Sequence, residues 1–195
     1  MIKLKTPISE DDIRKLKVGD EVLLSGVIVT ARDQAHKLMV DEKPDFIRED
    51  LKESVIYHCG PVVAENDDGT YDFVAAGPTT SIREEPYQAD VIGRYGLRGV
   101  IGKGGMGAKT LAGLDEHGAV YLHAVGGAAQ VLARAIPRVE RVFMLEEFGV
   151  PEALWVIEVE RFPVMVTMDS HGGSLHDEVE ERSQAKLREL LGFAV

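Results

Sequence analysis

Residues 94–114 read RYGLRGVIGKGGMGAKTLAGL and hold, in succession, a short apolar run, a glycine-rich turn and a helical segment. The run at 99–101 is typical of a buried strand, and the pattern from 106 to 114 predicts a helix. A strand, a turn and a helix in this order form the repeating unit of parallel sheets. We therefore expect an α/β fold.

The same alternation extends outward from this segment. The run 66–69, NDDG, is a strong turn signal, and the segment 174–191 predicts an amphipathic helix with one apolar stripe. Predicted strands cover residues 22–29, 55–58, 71–75, 119–125, 139–145, 153–159 and 164–168, and predicted helices cover 9–16, 31–40, 86–95, 128–136 and 174–191. We expect a single α/β domain over residues 1–195, with a first third that leans toward β-structure.

The composition limits the class of protein. The 195 residues include 22 Lys and Arg against 33 Asp and Glu, a formal net charge of −11, which argues against a nucleic-acid binder. Cys59 is the only cysteine, so this chain cannot supply the thiolates of an iron–sulfur cluster, and we interpret it as a buried side chain. The six histidines show no metal-ligand spacing, so we predict no metal held by this chain alone. Neither a membrane span nor a secretory signal is visible, so we expect a cytoplasmic protein.

The segment 94–114 is also unusual in its charge. Arg94, Arg98, Lys103 and Lys109 lie in it without any acidic residue, although the chain is acidic as a whole. Glycines let backbone N–H groups approach a ligand, and the positive end of the following helix would point at the same place. Two interpretations stay open for this segment: a local site for an anion, or a tight turn with solvated cations.

Two nucleotide-binding motifs overlap this segment, and both are incomplete. Residues 102–107, GKGGMG, match G-x-G-x-x-G, but no Asp or Glu lies between His117 and Val139, where a dinucleotide-binding fold needs one for the ribose. The same residues approach a phosphate-binding P-loop, but Ala108 interrupts the required Gly-Lys-Thr and displaces the lysine. The sequence therefore disfavours nucleotide binding.

Two other segments carry an arginine shortly after a predicted strand. GPTTSIR, residues 77–83, offers three hydroxyls and Arg83, and a guanidinium can donate two hydrogen bonds to one carboxylate. In TARDQAHK, residues 30–37, helical spacing places Arg32 and His36 on one face. The alternatives are a hydroxyl-rich helix cap for the first segment and a surface helix of mixed charge for the second.

Six motifs in a fixed order resemble one family, the β subunit of class I iron–sulfur fumarate hydratase. Between residues 20 and 176 the chain carries TARDQAHK, YHCGPV, GPTTSIR, GKGGMG, HAVGGAA and PEALWVIEVERFPVMVTMDSHGGSLH. The β subunit of L-tartrate dehydratase is closely similar. Each motif alone is weak evidence for the family, but six motifs in the same order as in the family are specific for it. Glu84 departs from the pattern, since the family often has methionine there, and we expect this change to affect pocket shape more than chemistry.

The resemblance implies a swivelling β/β/α domain, with a mixed sheet and flanking helices. It also implies a partner α subunit that holds a four-iron–four-sulfur cluster. In this family the α and β chains form the active site between them, so we expect a heterodimer or an α2β2 heterotetramer. The small dicarboxylates of the tricarboxylic acid cycle, malate and fumarate, are the implied substrates, and neither nucleic acid nor a membrane is an expected partner.

The resemblance also assigns site residues. Arg32 and Arg83 would bind substrate carboxylates. Lys103 would bind substrate and stabilise the negative charge that gathers on a carboxylate when the neighbouring carbon loses a proton. Thr79 is the candidate for proton transfer, and because a hydroxyl is a weak base it needs a neighbouring acid or base. The residues expected to support these four are His36, Thr80 and Gly104.

Three functions are open at this point. The leading one is the β subunit of a hydro-lyase that interconverts (S)-malate and fumarate plus water. The second is the β subunit of L-tartrate dehydratase, because the pocket motifs do not separate the two substrates. The third is a carboxylate- or phosphate-binding module without a catalytic role, because the chain holds no self-sufficient catalytic set.

Overall fold

The computed structural model describes residues 1–192. It has an α/β architecture with a mixed sheet and flanking helices, as the sequence predicts. The strands are β1 (Ile2–Lys5), β2 (Glu21–Thr30), β3 (Val55–Tyr57), β4 (Val62–Glu65), β5 (Tyr71–Ala75), β6 (Gly99–Gly102), β7 (Val120–His123), β8 (Arg138–Phe143) and β9 (Leu154–Met168). The helices are α1 (Glu10–Ile13), α2 (Asp33–Asp41), α3 (Arg48–Leu51), α4 (Gln88–Tyr95), α5 (Ala108–His117), α6 (Ala129–Ala133), α7 (Leu145–Phe148) and α8 (Leu175–Leu191), and a 3₁₀ turn covers Ser81–Glu84.

Seven strands form the main sheet, in the order β1-β2-β3-β6-β7-β9-β8. The first five of these strands are parallel, and β9 is antiparallel to both of its neighbours. Because β9 also pairs with β2, the strands β2, β3, β6, β7 and β9 form a closed ring of pairings. The remaining two strands, β4 and β5, form a separate hairpin.

Both faces of the main sheet are buried. Successive residues of its central strands point to opposite faces, so neighbouring residues belong to different apolar clusters. Ile28 and Leu122 belong to one buried apolar cluster, together with Trp155, whose ring contacts the β4–β5 hairpin. Their neighbours Val29 and Tyr121 belong to a second cluster. Helices α2, α4 and α5 cover that second cluster, so the carboxyl ends of the parallel strands are held between two packed layers.

The region 153–168 differs from the sequence prediction. It forms the single strand β9 rather than two strands separated at Phe162 and Pro163. Pro163 pairs with Leu23 of β2, while β7 ends at His123, opposite Met165. The side of β9 toward β7 is therefore open at Pro163, and a strand tolerates the missing N–H of proline at such a position.

Smaller differences lie at the ends of elements. The strands β1 and β4 and the short helices α3 and α7 were not predicted from the sequence. The predicted helix starts at 31 and 106 are wrong by two residues, since α2 begins at Asp33 and α5 at Ala108. The predicted helix at 174–191 is confirmed as α8, and Ser174 caps it, because its side chain accepts a hydrogen bond from the Asp177 N–H. The apolar stripe of α8 is not buried against the rest of residues 1–192, as Leu190 is 71% exposed.

Among the helices of residues 1–192, none combines the length and the apolar character that crossing a membrane requires.

Candidate functional site

Two of the predicted site residues, Arg32 and Lys103, and the further residue His58 follow the carboxyl ends of neighbouring parallel strands. Arg32 comes two residues after β2, His58 directly follows β3, and Lys103 directly follows β6. These three strands are adjacent in the sheet. In α/β proteins the loops that leave such strand ends meet in a crevice, and ligands usually bind there. The topology therefore brings three separate motifs of the sequence to one edge.

Backbone hydrogen bonds place Thr79 and Thr80 beside Lys103. The Lys103 N–H donates to the Thr79 carbonyl at 3.2 Å, and the Ser81 N–H donates to the Lys103 carbonyl at 3.0 Å. Thr80 and Lys103 pair as an isolated parallel bridge. The Thr79 N–H also donates to the His58 carbonyl at 2.7 Å. Both Thr79 and Lys103 remain half-buried, so their side chains are fixed at the base but accessible.

Ion pairs bring the two predicted arginines together. Arg83 donates from Nε to Asp33 Oδ1 at 3.1 Å and from Nη2 to Asp33 Oδ2 at 2.8 Å. Arg32 lies 3.8 Å from the same Asp33 carboxylate and 3.4 Å from Glu152 Oε1. Gly60 leaves room for this arrangement, because a Cβ there would lie 2.7 Å from Arg32 Nη1. Each arginine is thus already paired with a carboxylate of its own chain.

The other cations of the segment 94–114 do not all serve the same edge. Lys109 pairs with Asp90 on α4 at 3.0 Å, and Arg98 donates to backbone carbonyls at the end of α5. Lys103 forms no ion pair with any residue of the described range 1–192. An ammonium group without a carboxylate partner keeps its full attraction for an incoming anion.

The amino-terminal end of α5 is occupied by a side chain of the same chain, which bears on the two interpretations of the segment 94–114. Glu85 accepts hydrogen bonds from the Gly107 N–H at 2.8 Å, from the Lys109 N–H at 3.1 Å and from the Thr110 hydroxyl at 2.7 Å. Of the two interpretations left open for the segment 94–114, this contact argues against an external anion at the helix end, because the chain's own carboxylate occupies it. Glu85 lies outside the acid-free segment, so the local sequence did not reveal it.

The glycines after Lys103 are required by their conformation and by packing. Gly104 and Gly105 have φ angles of +83° and +76°, in the region that favours glycine. Gly104 is exposed. A Cβ at Gly105 would clash with the His176 ring. That ring is held in place by a hydrogen bond between His176 Nε2 and Thr167 Oγ1, at 2.9 Å. The first turn of α8 therefore fixes the loop that presents Lys103.

A buried chain of hydrogen bonds lies under the three motif segments. His36 Nδ1 is 2.9 Å from the Arg32 carbonyl, and His36 Nε2 is 2.9 Å from the Gln88 amide. His58 Nε2 is 2.7 Å from the same amide, and His58 Nδ1 is 2.9 Å from Ser81 Oγ. Burial lowers the pKa of both histidines. The predicted role of His36 in supporting the site stays a prediction, but its contact with the Arg32 backbone is the geometry that such a role needs.

Glu84 is the most unusual charged residue of this region. Its side chain is fully buried, and neither carboxyl oxygen has a hydrogen-bond partner among residues 1–192. The nearest cation-forming group is His36, whose Nδ1 is 3.6 Å from Glu84 Oε2. Burial, with smaller contributions from Asp33 and Glu152, raises the pKa of Glu84 to about 7. Its chemistry therefore differs from that of an ordinary surface glutamate.

The described residues do not fit an iron–sulfur cluster. Residues 1–192 contain no group of three or more His, Cys, Asp or Glu side chains arranged to hold a metal ion. Cys59 is buried, and burial raises its pKa to about 12, so it is not available as a thiolate. The interpretation of Cys59 as a buried side chain is confirmed.

Fold and site together define the class: an α/β protein with a mixed sheet, in which Arg32, Arg83 and Lys103 lie at the carboxyl edge. A comparison with family models adds the family. The model described as the C-terminus of fumarase matches residues 1–179. The chain belongs to the fumarase C-terminus family.

Three relatives show the range of names in this family. The chain is 54% identical over 187 residues to "Putative fumarate hydratase class I" of Geobacillus stearothermophilus, covering 96% of this chain but 36% of that protein. It is 43% identical over 192 residues to "Putative L(+)-tartrate dehydratase subunit beta" of Methanocaldococcus jannaschii, covering 95% and 96%. It is 38% identical over 173 residues to "L(+)-tartrate dehydratase subunit beta" of Escherichia coli K12, covering 88% and 85%. The chain thus spans about a third of the Geobacillus relative and most of the other two.

Sequence reasoning missed several residues that shape this site. His58 and Ser81 lie inside the quoted motifs, so their positions were visible but their roles were not. Gln88 and Glu85 had no signal, because only the folded chain brings them next to the motif residues. His176 is the last residue of the sixth motif, and its contact with Gly105 forms only when the first turn of α8 packs against the loop after β6.

Proposed function

We propose that this chain acts as the β-subunit part of a hydro-lyase that interconverts (S)-malate and fumarate plus water. The observation that carries this proposal is the convergence of Arg32, Thr79, Arg83 and Lys103 on one edge of the sheet. Malate and fumarate are dianions at neutral pH, so two guanidinium groups and one ammonium group match their charge. The names of the relatives, a fumarate hydratase and two tartrate dehydratase subunits, support the same type of reaction.

Substrate binding in this proposal is the task of the arginine pair. A guanidinium recognises a carboxylate with two parallel hydrogen bonds, which is the geometry that Arg83 already forms with Asp33. Arg32 is held beside it by Asp33 and Glu152. An incoming dicarboxylate replaces or joins these internal carboxylates, so the pair is oriented before the substrate arrives.

Lys103 has a different task, because charge develops during the reaction. Removing a proton from the carbon next to a carboxylate pushes negative charge onto the oxygens of that carboxylate. A fixed cation close to those oxygens stabilises the developing charge more than the starting charge, and this difference accelerates the step. Lys103 suits this task because it is half-buried and has no ion-pair partner among residues 1–192.

Thr79 is our candidate for proton transfer. Two backbone hydrogen bonds, to His58 and from Lys103, fix its position at the edge of the crevice. A threonine hydroxyl needs a neighbouring base to take up a proton at neutral pH. We propose that this base comes from the partner subunit, while Thr80 and Gly104 shape the loop around the reacting groups.

The partner is an α subunit that carries the four-iron–four-sulfur cluster, in a heterodimer or an α2β2 heterotetramer. The described residues of this chain offer no ligands for a cluster, so the proposal assigns it to the partner. We place the complex in the cytoplasm and its reaction in the tricarboxylic acid cycle. The steps assigned to this chain are carboxylate binding, charge stabilisation and proton transfer.

L-Tartrate dehydration is a second candidate, favoured by the two β-subunit relatives whose own lengths the chain nearly covers. The deciding experiment purifies the chain anaerobically, alone and with an α-type partner that carries a cluster, and measures turnover of (S)-malate and of L-tartrate. The proposal expects malate turnover by the two-chain complex only. Preference for tartrate would favour the second candidate, and turnover by the chain alone would contradict the two-subunit assignment. Carboxylate binding without any turnover by the complex would favour a binding module.

A further inference from the structure

Glu84 is buried near the Arg32–Arg83 pair, and its surroundings disfavour the ionised form of its carboxyl group. A carboxylate that is removed from water and has no hydrogen-bond donor costs several kcal/mol to ionise, so it holds a proton instead. Both Glu84 oxygens lack a donor among residues 1–192. An ionised carboxylate in this position lowers the stability of the folded chain. Buried acids with a shifted pKa are frequent at functional sites, so the position of Glu84 beside the proposed carboxylate site points to a function.

The neighbouring histidine does not supply the missing donor. His36 Nδ1 lies 2.9 Å from the Arg32 carbonyl, which can only accept, so this nitrogen carries its hydrogen toward Arg32. Glu84 Oε2 is farther from it, at 3.6 Å. The atom 2.9 Å from His36 Nε2 is Gln88 Oε1, which can also only accept, so a neutral His36 with its hydrogen on Nδ1 requires the Gln88 amide turned by 180°, with its NH2 group toward Nε2. The Gln88 amide nitrogen has no other hydrogen-bond partner among residues 1–192, so this orientation breaks no hydrogen bond of that nitrogen. Because burial lowers the pKa of His36, a second proton on this ring is disfavoured.

The charges around Glu84 come from four parts of the chain. Helix α2 contributes Asp33 and His36, the loop before α2 and the 3₁₀ turn contribute Arg32 and Arg83, and the loop before β9 contributes Glu152. Two guanidinium groups and two carboxylates balance one another in this cluster. An ionised Glu84 gives the cluster one excess negative charge, whereas a protonated Glu84 leaves it neutral.

We propose that Glu84 is a positioning residue, whose proton keeps the cluster of Arg32, Arg83, Asp33 and Glu152 free of excess negative charge and so favours binding of a dicarboxylate dianion at the arginine pair. Binding of the dianion and retention of the Glu84 proton then favour each other, as linkage requires. At a pH where free Glu84 is ionised, binding draws a proton from solution onto this carboxyl group. Glu84 acts through the arginines and does not itself touch the ligand. The ligand class rests on the proposed function, while the proton on Glu84 does not.

The first test needs no ligand. The titration of the Glu84 carboxyl carbon is followed by NMR in the full chain, with Glu84→Gln to assign the signal and Glu180→Gln, an exposed glutamate on α8, as the control. We expect a midpoint close to neutral pH for Glu84. A midpoint in the ordinary range of glutamate, about 4 to 5, would overturn the inference whatever the enzyme's substrate.

The second test uses the purified complex and succinate, a four-carbon dicarboxylate that cannot be dehydrated. Calorimetry in buffers of different ionisation enthalpy counts the protons taken up on binding at about pH 8. We expect uptake by the wild type and the Glu180→Gln control but none by Glu84→Gln, and an affinity of the wild type that falls up to about tenfold per pH unit above neutrality. Equal proton uptake by wild type and Glu84→Gln would overturn the inference.

The two failures are distinguishable. If succinate does not bind the wild-type complex at any pH, the proposed function is contradicted, and the NMR titration still decides whether Glu84 holds a proton near neutral pH. If succinate binds with the same affinity across this range and without proton uptake, the proposed function stands and the role of Glu84 is contradicted.

Discussion

The carboxylate of Asp33 and the guanidinium of Arg83 form two hydrogen bonds, at 3.1 and 2.8 Å, across 50 positions of the sequence. This pair joins the TARDQAHK motif to the GPTTSIR motif at the carboxyl edge of the sheet. The fork of Arg83 is thereby oriented in the free chain. Carboxylate binding, as proposed, depends on this pair of parallel N–H donors, called the fork of Arg83 below, rather than on positive charge alone.

Arg83→Lys keeps the charge and removes the fork. We expect the KM for the dicarboxylate substrate to rise by about tenfold or more, because a lysine cannot form the bidentate pair. Stability should change little, since Arg83 is 54% exposed and exposed ion pairs contribute little. Arg138→Lys, on β8 and paired with Glu158, is the matched control. Steady-state kinetics of the complex provides the comparison, and identical KM values for the two variants would refute the role of the fork.

Thr79 is tested by removing only its hydroxyl. Thr79→Ala should lower kcat by about a hundredfold or more with little change in KM, because general acid–base catalysis contributes on this scale. The backbone hydrogen bonds of Thr79 do not involve the hydroxyl, so the fold should persist. Thr79→Ser should restore much of the rate. Should the serine variant be as slow as the alanine variant, the hydroxyl is not the proton-transfer group.

Glu85 has a structural role that a stability measurement can isolate. Glu85→Ala removes the acceptor of four hydrogen bonds at the start of α5, and we expect the free energy of unfolding to fall by about 1–2 kcal/mol. Glu116→Ala, an exposed substitution later in α5, should change it by less than about 0.5 kcal/mol. Urea unfolding of both variants measures the difference. Equal stability of the two would mean that Glu85 does not cap the helix.

Glu84 predicts a dependence of stability on pH with a definite sign. Its pKa is about 7 in the folded chain and about 4.5 when unfolded. Between these values the folded chain holds a proton that the unfolded chain has released, so stability falls as pH rises from about 4.5 to 7. Glu84→Gln lacks this loss and should be more stable than the wild type by about 3 kcal/mol at about pH 8.

The measurement is the free energy of unfolding of both chains across this pH range. The buried histidines, whose pKa values are lowered, affect stability at acidic pH in both proteins and cancel in the comparison. The difference between the two chains should be constant above the folded pKa and shrink as pH falls toward 4.5. A difference that does not vary with pH would show that Glu84 titrates normally.

The sequence was sufficient where structure is decided locally. The alternation of β6, α5 and β7 was predictable because each element has its own apolar period and glycines mark the turns. The single strand β9 was not, because Pro163 is an ordinary strand breaker unless the neighbouring strand ends beside it, as β7 does at His123. β1 was missed because IKLK carries two lysines and little apolar pattern.

For the site, too, the features decided by local sequence were predictable, and those that depend on distant segments were not. The motifs named Arg32, Thr79, Arg83 and Lys103. The parallel order of β2 and β6 explains why Arg32 and Lys103 lie at the same edge. Thr79 and Arg83 follow the hairpin strand β5 and are held at that edge by the hydrogen bonds of Thr79 with His58 and Lys103 and of Arg83 with Asp33. Their partners were unpredictable, since the contacts of Asp33 with Arg83 and of Glu85 with α5 depend on how distant segments pack. The buried position of Glu84 was equally hidden, because a single glutamate after an arginine reads as a surface residue.

Lys103→Ala is the change that tests the proposed function most directly. The measurement is the kcat for (S)-malate of the anaerobically purified two-chain complex, with Lys109→Ala as the control, because the Lys109 ammonium is already paired with Asp90 at 3.0 Å. We expect Lys103→Ala to lower kcat by about a hundredfold to a thousandfold while the free energy of unfolding stays within about 0.5 kcal/mol, and Lys109→Ala to keep the wild-type rate. A wild-type kcat in the Lys103→Ala complex would contradict the assignment of charge stabilisation to this chain.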